Sequence, residues 1–285
     1  IDATFGGGGY SRALLQEYNV NKLIAFDRDP IAEIFAKDLN KRFKNFKLIN
    51  GCFSKINELI SLDKKIKNSK FDIIIFDLGL SSNQLENPKR GFSFMHDGPL
   101  DMNMGHSNIL ASDVINNFSE TKLANIFFEL GEEIFAKRIA KNIVKNRRLK
   151  LIKSTKDLSK LIIESVPKKT KINPATKTFQ ALRIYVNDEL NELKIALKKT
   201  IKILNEEGKL IVVSFHSLED RIVKDYFNHN SGKRWRSSRH YPELVDKGPI
   251  IFKLITKKPI RPQVSEVQMN PRARSAKLRV CQKIN

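Results

Sequence analysis

FDIIIFDLGLSSNQLENPKRGFSFMHDGPLDMNM, residues 71–104, decides how this chain is read. Phe71–Asp77 is a short apolar run rich in Ile and Phe, the pattern of a buried strand. Periodicity then disappears through residue 104. A loop of that length in a compact domain is either functional or disordered. Composition argues against disorder, because Leu85, Phe92, Phe94, Met95 and Leu100 supply apolar contacts while Gly79, Gly91, Gly98, Pro88 and Pro99 shape turns. An ordered loop at the carboxyl end of a strand is expected, and in open α/β sheets that edge binds ligands.

Upstream, IDATF, LIAFD, FKLIN and FDIIIFD alternate with longer mixed stretches. Such alternation implies parallel strands joined by helical crossovers, a Rossmann-like half. Residues 107–168 change character: no strand-like run occurs, Ser119 is placed to cap a helix, and Ile134, Phe135, Ile139, Ile143 and Val144 fall on one face among Lys137, Arg138, Lys141, Lys145 and Arg148. After Pro174 the spacing of Leu182, Val186, Leu190, Leu193, Leu197, Ile201 and Leu204 predicts one long helix. Strands KLIVVSF, IIFKLIT and AKLRVCQ follow, with FHSLED as a loop after the first of them. The expected organisation is an α/β sheet domain built from residues 1–106 and 170–285, interrupted by an all-helical insertion at 107–169.

The net charge of +21 and a pI near 9.9 point to a polyanionic partner. Basic residues concentrate at 137–150, 168–177, 233–240 and 257–279. No apolar run is long enough to span a membrane and no signal peptide is visible, so a cytoplasmic protein without a membrane partner is expected. The chain opens at Ile1 in mid-strand, and an N-terminal piece is expected to be absent. Cys52 and Cys281 lie far apart, outside any metal or redox motif, and are expected to be reduced. No His, Cys or Asp cluster has metal-ligand spacing, so no metal is expected.

The first strand runs into Gly6-Gly7-Gly8-Gly9-Tyr10-Ser11, a turn where backbone can approach a ligand. The dinucleotide fingerprint fails because its third glycine position falls on Ser11. Asp27 nevertheless ends the second strand, where an acid accepts hydrogen bonds from ribose hydroxyls. An adenosine-containing cofactor without a pyrophosphate satisfies both observations. Against this stand the commoner fates of such residues: Asp27 as a helix cap, although Asp29 before Pro30 is better placed, and Phe53 as core.

The blocks DATFGGGGYSRALL, AFDRDP, SSNQLENPKRGFSFM, EEIFAKRIAKNIV, NPATKTFQALRIYVNDEL, SFHSLEDRIVK and NPRARSAKLRV, in this order from Asp2 to Val280, resemble the signature blocks of the bacterial 16S ribosomal RNA cytosine-N4 methyltransferase family, RsmH or MraW. The resemblance implies a class I S-adenosylmethionine-dependent methyltransferase sheet with an inserted helical domain for substrate recognition. It implies methylation of the exocyclic amine of one decoding-region cytosine in 16S rRNA, within the small ribosomal subunit. Cofactor contacts carry over to Gly8, Gly9, Tyr10, Asp27, Phe53, Asp77 and Gln84. The chain departs from the family at Gly7, Tyr10 and Asn83, where Arg, His and Pro are usual.

An aromatic amine is a poor nucleophile, so its lone pair must be turned to the methyl carbon while acceptors draw on its hydrogens. Asp77, Ser81 and Ser82 are the candidate acceptors. Phe92 or Phe94 is the candidate for stacking on an extruded base, against packing of the loop as the alternative. Asp97 and Asp101 are expected to order the loop through Lys89 or Arg90, and His216 to be a satisfied hydrogen-bonding group. A non-catalytic RNA-binding or ribosome-assembly factor on the same fold is the alternative function. A DNA methylase lacks its Pro-Pro-aromatic motif here, and the sequence leaves monomer and homodimer equally open.

Overall fold

The computed structural model describes residues 1–167, 173–233 and 248–284. Two compact units divide the chain: Ile1–Gly79 with Leu190–Asn285, and Leu80–Glu189. The division differs from the expected boundaries at 106/107 and 169/170. Most of the long loop and the helix after Pro174 belong with the helical insertion, since Phe92, Leu100, Met102, Met104, Phe179, Leu182 and Val186 share one core with Leu123, Ile139 and Leu158.

In the first unit α1 (Gly9–Glu17) leads to β1 (Leu23–Asp27), α2 (Ala32–Arg42), β2 (Phe46–Asn50), α3 (Ile56–Leu62) and β3 (Phe71–Asp77). β1 pairs parallel with β2. Residues 1–3 lie between β1 and β3, with Asp2 bridging in parallel to both Ala25 and Ile75. On β1, Leu23 and Ala25 pack with Leu15, Ala36 and Leu39, while Ile24 and Phe26 pack with Ile56, Ile60 and Leu197. The strand is covered on both faces, which explains its uninterrupted apolar reading.

The second unit continues with α4 (Ser82–Glu86), α5 (Ala111–Asn117), α6 (Glu120–Gly131), α7 (Ala136–Arg147), α8 (Thr155–Ser165) and α9 (Ala175–Asn187). Ser119 caps α6 by accepting from the Lys122 amide, as expected. Ile139 and Ile143 are buried on α7, whereas Ile134 is 76% exposed, because the helix starts two residues after it. The loop is sewn onto the start of α8. Thr155 Oγ1 donates to the His96 carbonyl and accepts from the Gly98 amide, and the Lys156 amide donates to Asp97. Asp97 thus accepts from the first turn of α8, and Asp101 from the Asn103 amide. A Cβ on Gly98 would overlap the Pro88 carbonyl oxygen, and one on Gly91 the Pro99 carbonyl oxygen. Gly98→Ala is accordingly expected to destabilise the helical unit by about 1–3 kcal/mol, the scale of overpacking. Denaturant unfolding followed by loss of helical signal would check it.

The predicted single helix is broken. Asp188 takes a left-handed conformation (φ 51°) between α9 and α10 (Glu189–Ile203). Asn187 explains the stop: its side chain donates to the Met102 carbonyl and accepts from the Met104 amide. The apolar period runs through the break, with Leu182 and Val186 packing in the helical unit's core and Leu193 and Leu197 in the sheet unit's.

The sheet unit resumes with β4 (Leu204–Ser214), α11 (Ser217–Asn230), β5 (Phe252–Leu254), α12 (Val264–Met269) and β6 (Lys277–Lys283). β4 pairs parallel with β3, and β6 runs antiparallel between β4 and β5. The order across the sheet is β2, β1, residues 1–3, β3, β4, β6, β5. Residues 234–240, most of the basic loop noted in the sequence, lie outside the described residues. No described helix is long and apolar enough to cross a membrane.

Candidate active site

The carboxyl ends of the sheet's central strands bring Asp2, the glycine turn, Asp27 and Asp77 to one edge. The turn is shaped by two left-handed glycines, Gly6 (φ 54°) and Gly8 (φ 79°). A Cβ on Gly8 would lie 2.7 Å from the Phe5 ring, whereas one on Gly9 would meet nothing within 4 Å. Open space over Gly9 at the start of α1 leaves backbone accessible to a ligand.

Asp27 binds its neighbours with both carboxylate oxygens: Oδ2 accepts from the Gly6 amide at 2.7 Å and Oδ1 from the Asp29 amide at 2.8 Å. Each oxygen keeps a lone pair for a ligand hydroxyl. Burial outweighs these amides and pushes the carboxyl up to about 6. Capping by Asp27 does not arise; Asp29 instead accepts from the Ile31 amide just ahead of α2.

Asp77 is the most unusual group. Its amide donates to Thr4 Oγ1 at 2.6 Å, fixing the end of β3 against the first segment. Its carboxylate Oδ1 is buried with no hydrogen-bond partner among the described residues. Burial, then repulsion from Asp2 and Glu219, raises the carboxyl to about 7. A buried, unpartnered carboxylate oxygen is costly in an isolated fold, which makes Asp77 a candidate ligand-binding group. Asp2 itself is nearly inaccessible, held by Ser11 Oγ at 2.7 Å and the Thr4 amide at 3.3 Å, and burial raises it too.

Tyr10 is 42% exposed at the first turn of α1, and partial burial together with Asp77, Asp2 and Glu266 pushes its hydroxyl to about 12. Its phenol stays neutral. Phe53, half-buried after β2, packs edge-on against Phe76 with centroids 5.6 Å apart, so it is partly core as well as a flat surface at the site edge.

FHSLED is the start of a helix, not a loop. His216 caps α11 through Nδ1, which accepts from the Glu219 amide, and Glu219 reaches back to the Phe215 amide at 2.8 Å. Asp220 ties the next strand in, pairing with Arg279 at 2.7 Å and Lys277 at 3.1 Å. The sequence signal was present in His-x-x-Glu, a capping-box spacing with His in the place of Ser or Thr.

The remaining candidates belong to the helical unit. Ser81 caps α4 by accepting from the Gln84 amide, and the buried Gln84 returns the bond through Oε1 to the Ser81 amide. Ser82 is the first residue of that helix. Phe92 is buried, with the Arg90 guanidinium over its ring at 5.5 Å, and Phe94 is half-buried, edge-on to Phe179 at 5.3 Å. Phe92 is therefore a packing residue and not an open stacking platform. On α7, Lys137, Arg138, Lys141 and Lys145 are exposed, while Arg147 is turned inward onto the Ile115 and Phe118 carbonyls. Among the described residues no three metal-binding side chains gather.

The family model described as "MraW methylase family" matches residues 1–284. Ribosomal RNA small subunit methyltransferase H of Caldicellulosiruptor saccharolyticus is 45% identical over 287 residues, spanning 100% of this chain and 92% of that protein. The proteins of the same name from Rickettsia bellii and Methylorubrum extorquens are each 44% identical, over 100% and 98% of this chain and 92% and 79% of their own lengths. A match along nearly the whole chain, through the glycine turn, both strand-end aspartates and the long loop, leaves one assignment: the chain belongs to the MraW methylase family.

Proposed function

We propose that this chain methylates the exocyclic amine of a cytosine in the decoding region of 16S rRNA, using S-adenosylmethionine, in the cytoplasm. The observation that carries the reading is the buried, unpartnered Asp77 Oδ1 at the end of β3, beside a glycine turn and an acid suited to a ribose. A factor that only bound RNA would gain nothing from keeping that oxygen bare.

The residues present fit the cofactor. Gly8 and Gly9 let backbone close on it, Asp27 offers a lone pair on each carboxylate oxygen to the two ribose hydroxyls, and Phe53 offers a ring to the adenine. When bound, S-adenosylmethionine supplies an electrophilic methyl group on a positively charged sulfur. Asp2, Asp77 and Glu219 give this edge a negative field that favours such a cation. Asp77 accepts a hydrogen of the cytosine amine, which turns the nitrogen lone pair toward the methyl carbon. With the methyl group supplied to the amine nitrogen in this way, Asp77, whose value near 7 suits a general base, would take up the amine proton. Ser81 acts as a positioning residue through the cap of α4, with Ser82 and Gln84 beside it in the first turn. Of the two loop aromatics, Phe94 keeps part of its ring accessible whereas Phe92 is buried.

The helical unit is the RNA-recognition element of this reading. Reversing Lys137, Arg138 and Lys141 to Glu should raise the KM for RNA about tenfold or more and flatten its salt dependence, because fewer counterions are released. An unaltered salt slope would make α7 merely a solvated face. The reading as a whole is tested by incubating the protein with labelled cofactor and small-subunit rRNA, duplex DNA or a mixed protein substrate. Label is expected in the rRNA alone.

A further inference from the structure

Residues 248–284 contain nine Lys and Arg and a single acid, Glu266. Three of these cations are consumed by the fold. Lys277 and Arg279 pair with Asp220, and Lys283 donates to the Ile201 and Leu204 carbonyls. Lys253, Lys257, Lys258, Arg261 and Arg274 are exposed and have no acidic partner among the described residues. Unpaired cations on this scale are not explained by stability.

Their position is informative. β6 runs antiparallel to β4, and its first residue, Lys277, pairs with the last residue of β4, Ser214. The chain therefore enters β6 from the edge where β4 ends, the same edge that holds Asp77. Ile260 bridges to Leu278, so the excursion from 261 to 276 leaves and re-enters beside that edge. Ala273 anchors it by burial. Val264 and Met269 stand on this arm 76% and 82% exposed.

We infer that residues 257–274 form a second RNA-docking surface, on the sheet unit itself, which grips the phosphates flanking the target nucleotide at the mouth of the cofactor site. The inference rests on the function proposed above. A polyanion is called for by the charge, and RNA is the polyanion that has to reach this edge. An anionic membrane fits less well, because α12 carries no cation and presents no basic amphipathic face.

The test is the triple variant Lys257→Ala, Lys258→Ala, Arg261→Ala in the full chain, with a fluorescent small-subunit rRNA hairpin as probe. RNA Kd should rise at least tenfold, and the slope of log affinity against log salt should fall by about two to three, at roughly 0.7–0.9 for each phosphate left without its cation. Cofactor affinity by calorimetry and kcat at saturating RNA should not change. Lys257→Arg with Lys258→Arg should bind as the wild type does. Lys37→Ala with Lys41→Ala, exposed on α2, is the control for net charge and should have little effect. Unchanged RNA affinity and slope in the triple variant, an equal loss in the α2 control, or loss of binding to phosphatidylglycerol vesicles with RNA binding intact would each overturn the inference. Wild-type protein that binds the hairpin but transfers no methyl group would count against the proposed reaction and leave this binding comparison readable.

Discussion

Asp77→Asn is expected to lower turnover by about 10²–10³ while making the cofactor-free protein more stable at neutral pH. The rate loss follows from removing a general base and its charge, on the usual scale for such groups. The gain in stability follows from linkage. The carboxyl has an ordinary value near 3.8 when unfolded and about 7 when folded, so the folded state holds its proton more tightly. Below pH 4 the group is protonated in both states and imposes no penalty. As pH rises from about 4 to 7 the unfolded state ionises first, and folding stability falls; above 7 the penalty is complete. It is on the order of 2 kcal/mol, discounted from the full linkage value because the group is not wholly buried. Thermal unfolding of wild type and variant should therefore coincide at pH 4 and diverge toward pH 8. Curves that stay parallel across this range would show that Asp77 is not a strained group. A cationic ligand should relieve the same strain, so S-adenosylmethionine should gain affinity over its neutral demethylated product as pH rises through 7.

Asp27→Ala should weaken cofactor binding by about 1.5–3 kcal/mol, a roughly tenfold to 150-fold rise in Kd, because charge-assisted hydrogen bonds to two hydroxyls are lost. The variant also strips the Gly6 and Asp29 amides of their acceptor, so some loss of order in the glycine turn accompanies it. Asp27→Asn separates the two effects, since its amide oxygen can still accept from one of those amides. Calorimetric titration of both variants is decisive. Equal affinity in wild type and a folded Asp27→Ala would take Asp27 out of the cofactor site.

Strands and their faces were legible because burial on both sides writes uninterrupted Ile and Phe runs, as in Ile74, Ile75 and Phe76. The break at Asp188 was not, since the apolar period continues through it while the chain passes from one core to another. The loop's membership in the helical unit was hidden for a similar reason. Phe92, Leu100 and Met102 have no period to betray which core they fill. At the site, Asp27 and Asp77 could be read from strand ends, and the glycine turn from composition. What the sequence could not show was Asp77's unpartnered oxygen, nor the raised carboxyl value that burial and the charges of Asp2 and Glu219 from distant segments produce. Which of Phe92 and Phe94 is buried was not legible either, because an aromatic in a polar loop reads alike whether it packs or binds.

Methyl transfer to a cytosine amine is tested most directly by nucleoside mass analysis of decoding-region RNA after reaction with labelled S-adenosylmethionine. The expected result is a single methyl group on N4 of one cytosine, formed by wild type and lost with Asp77→Asn. Label on a ring carbon, on ribose, or on no nucleoside at all despite bound cofactor and RNA would contradict it.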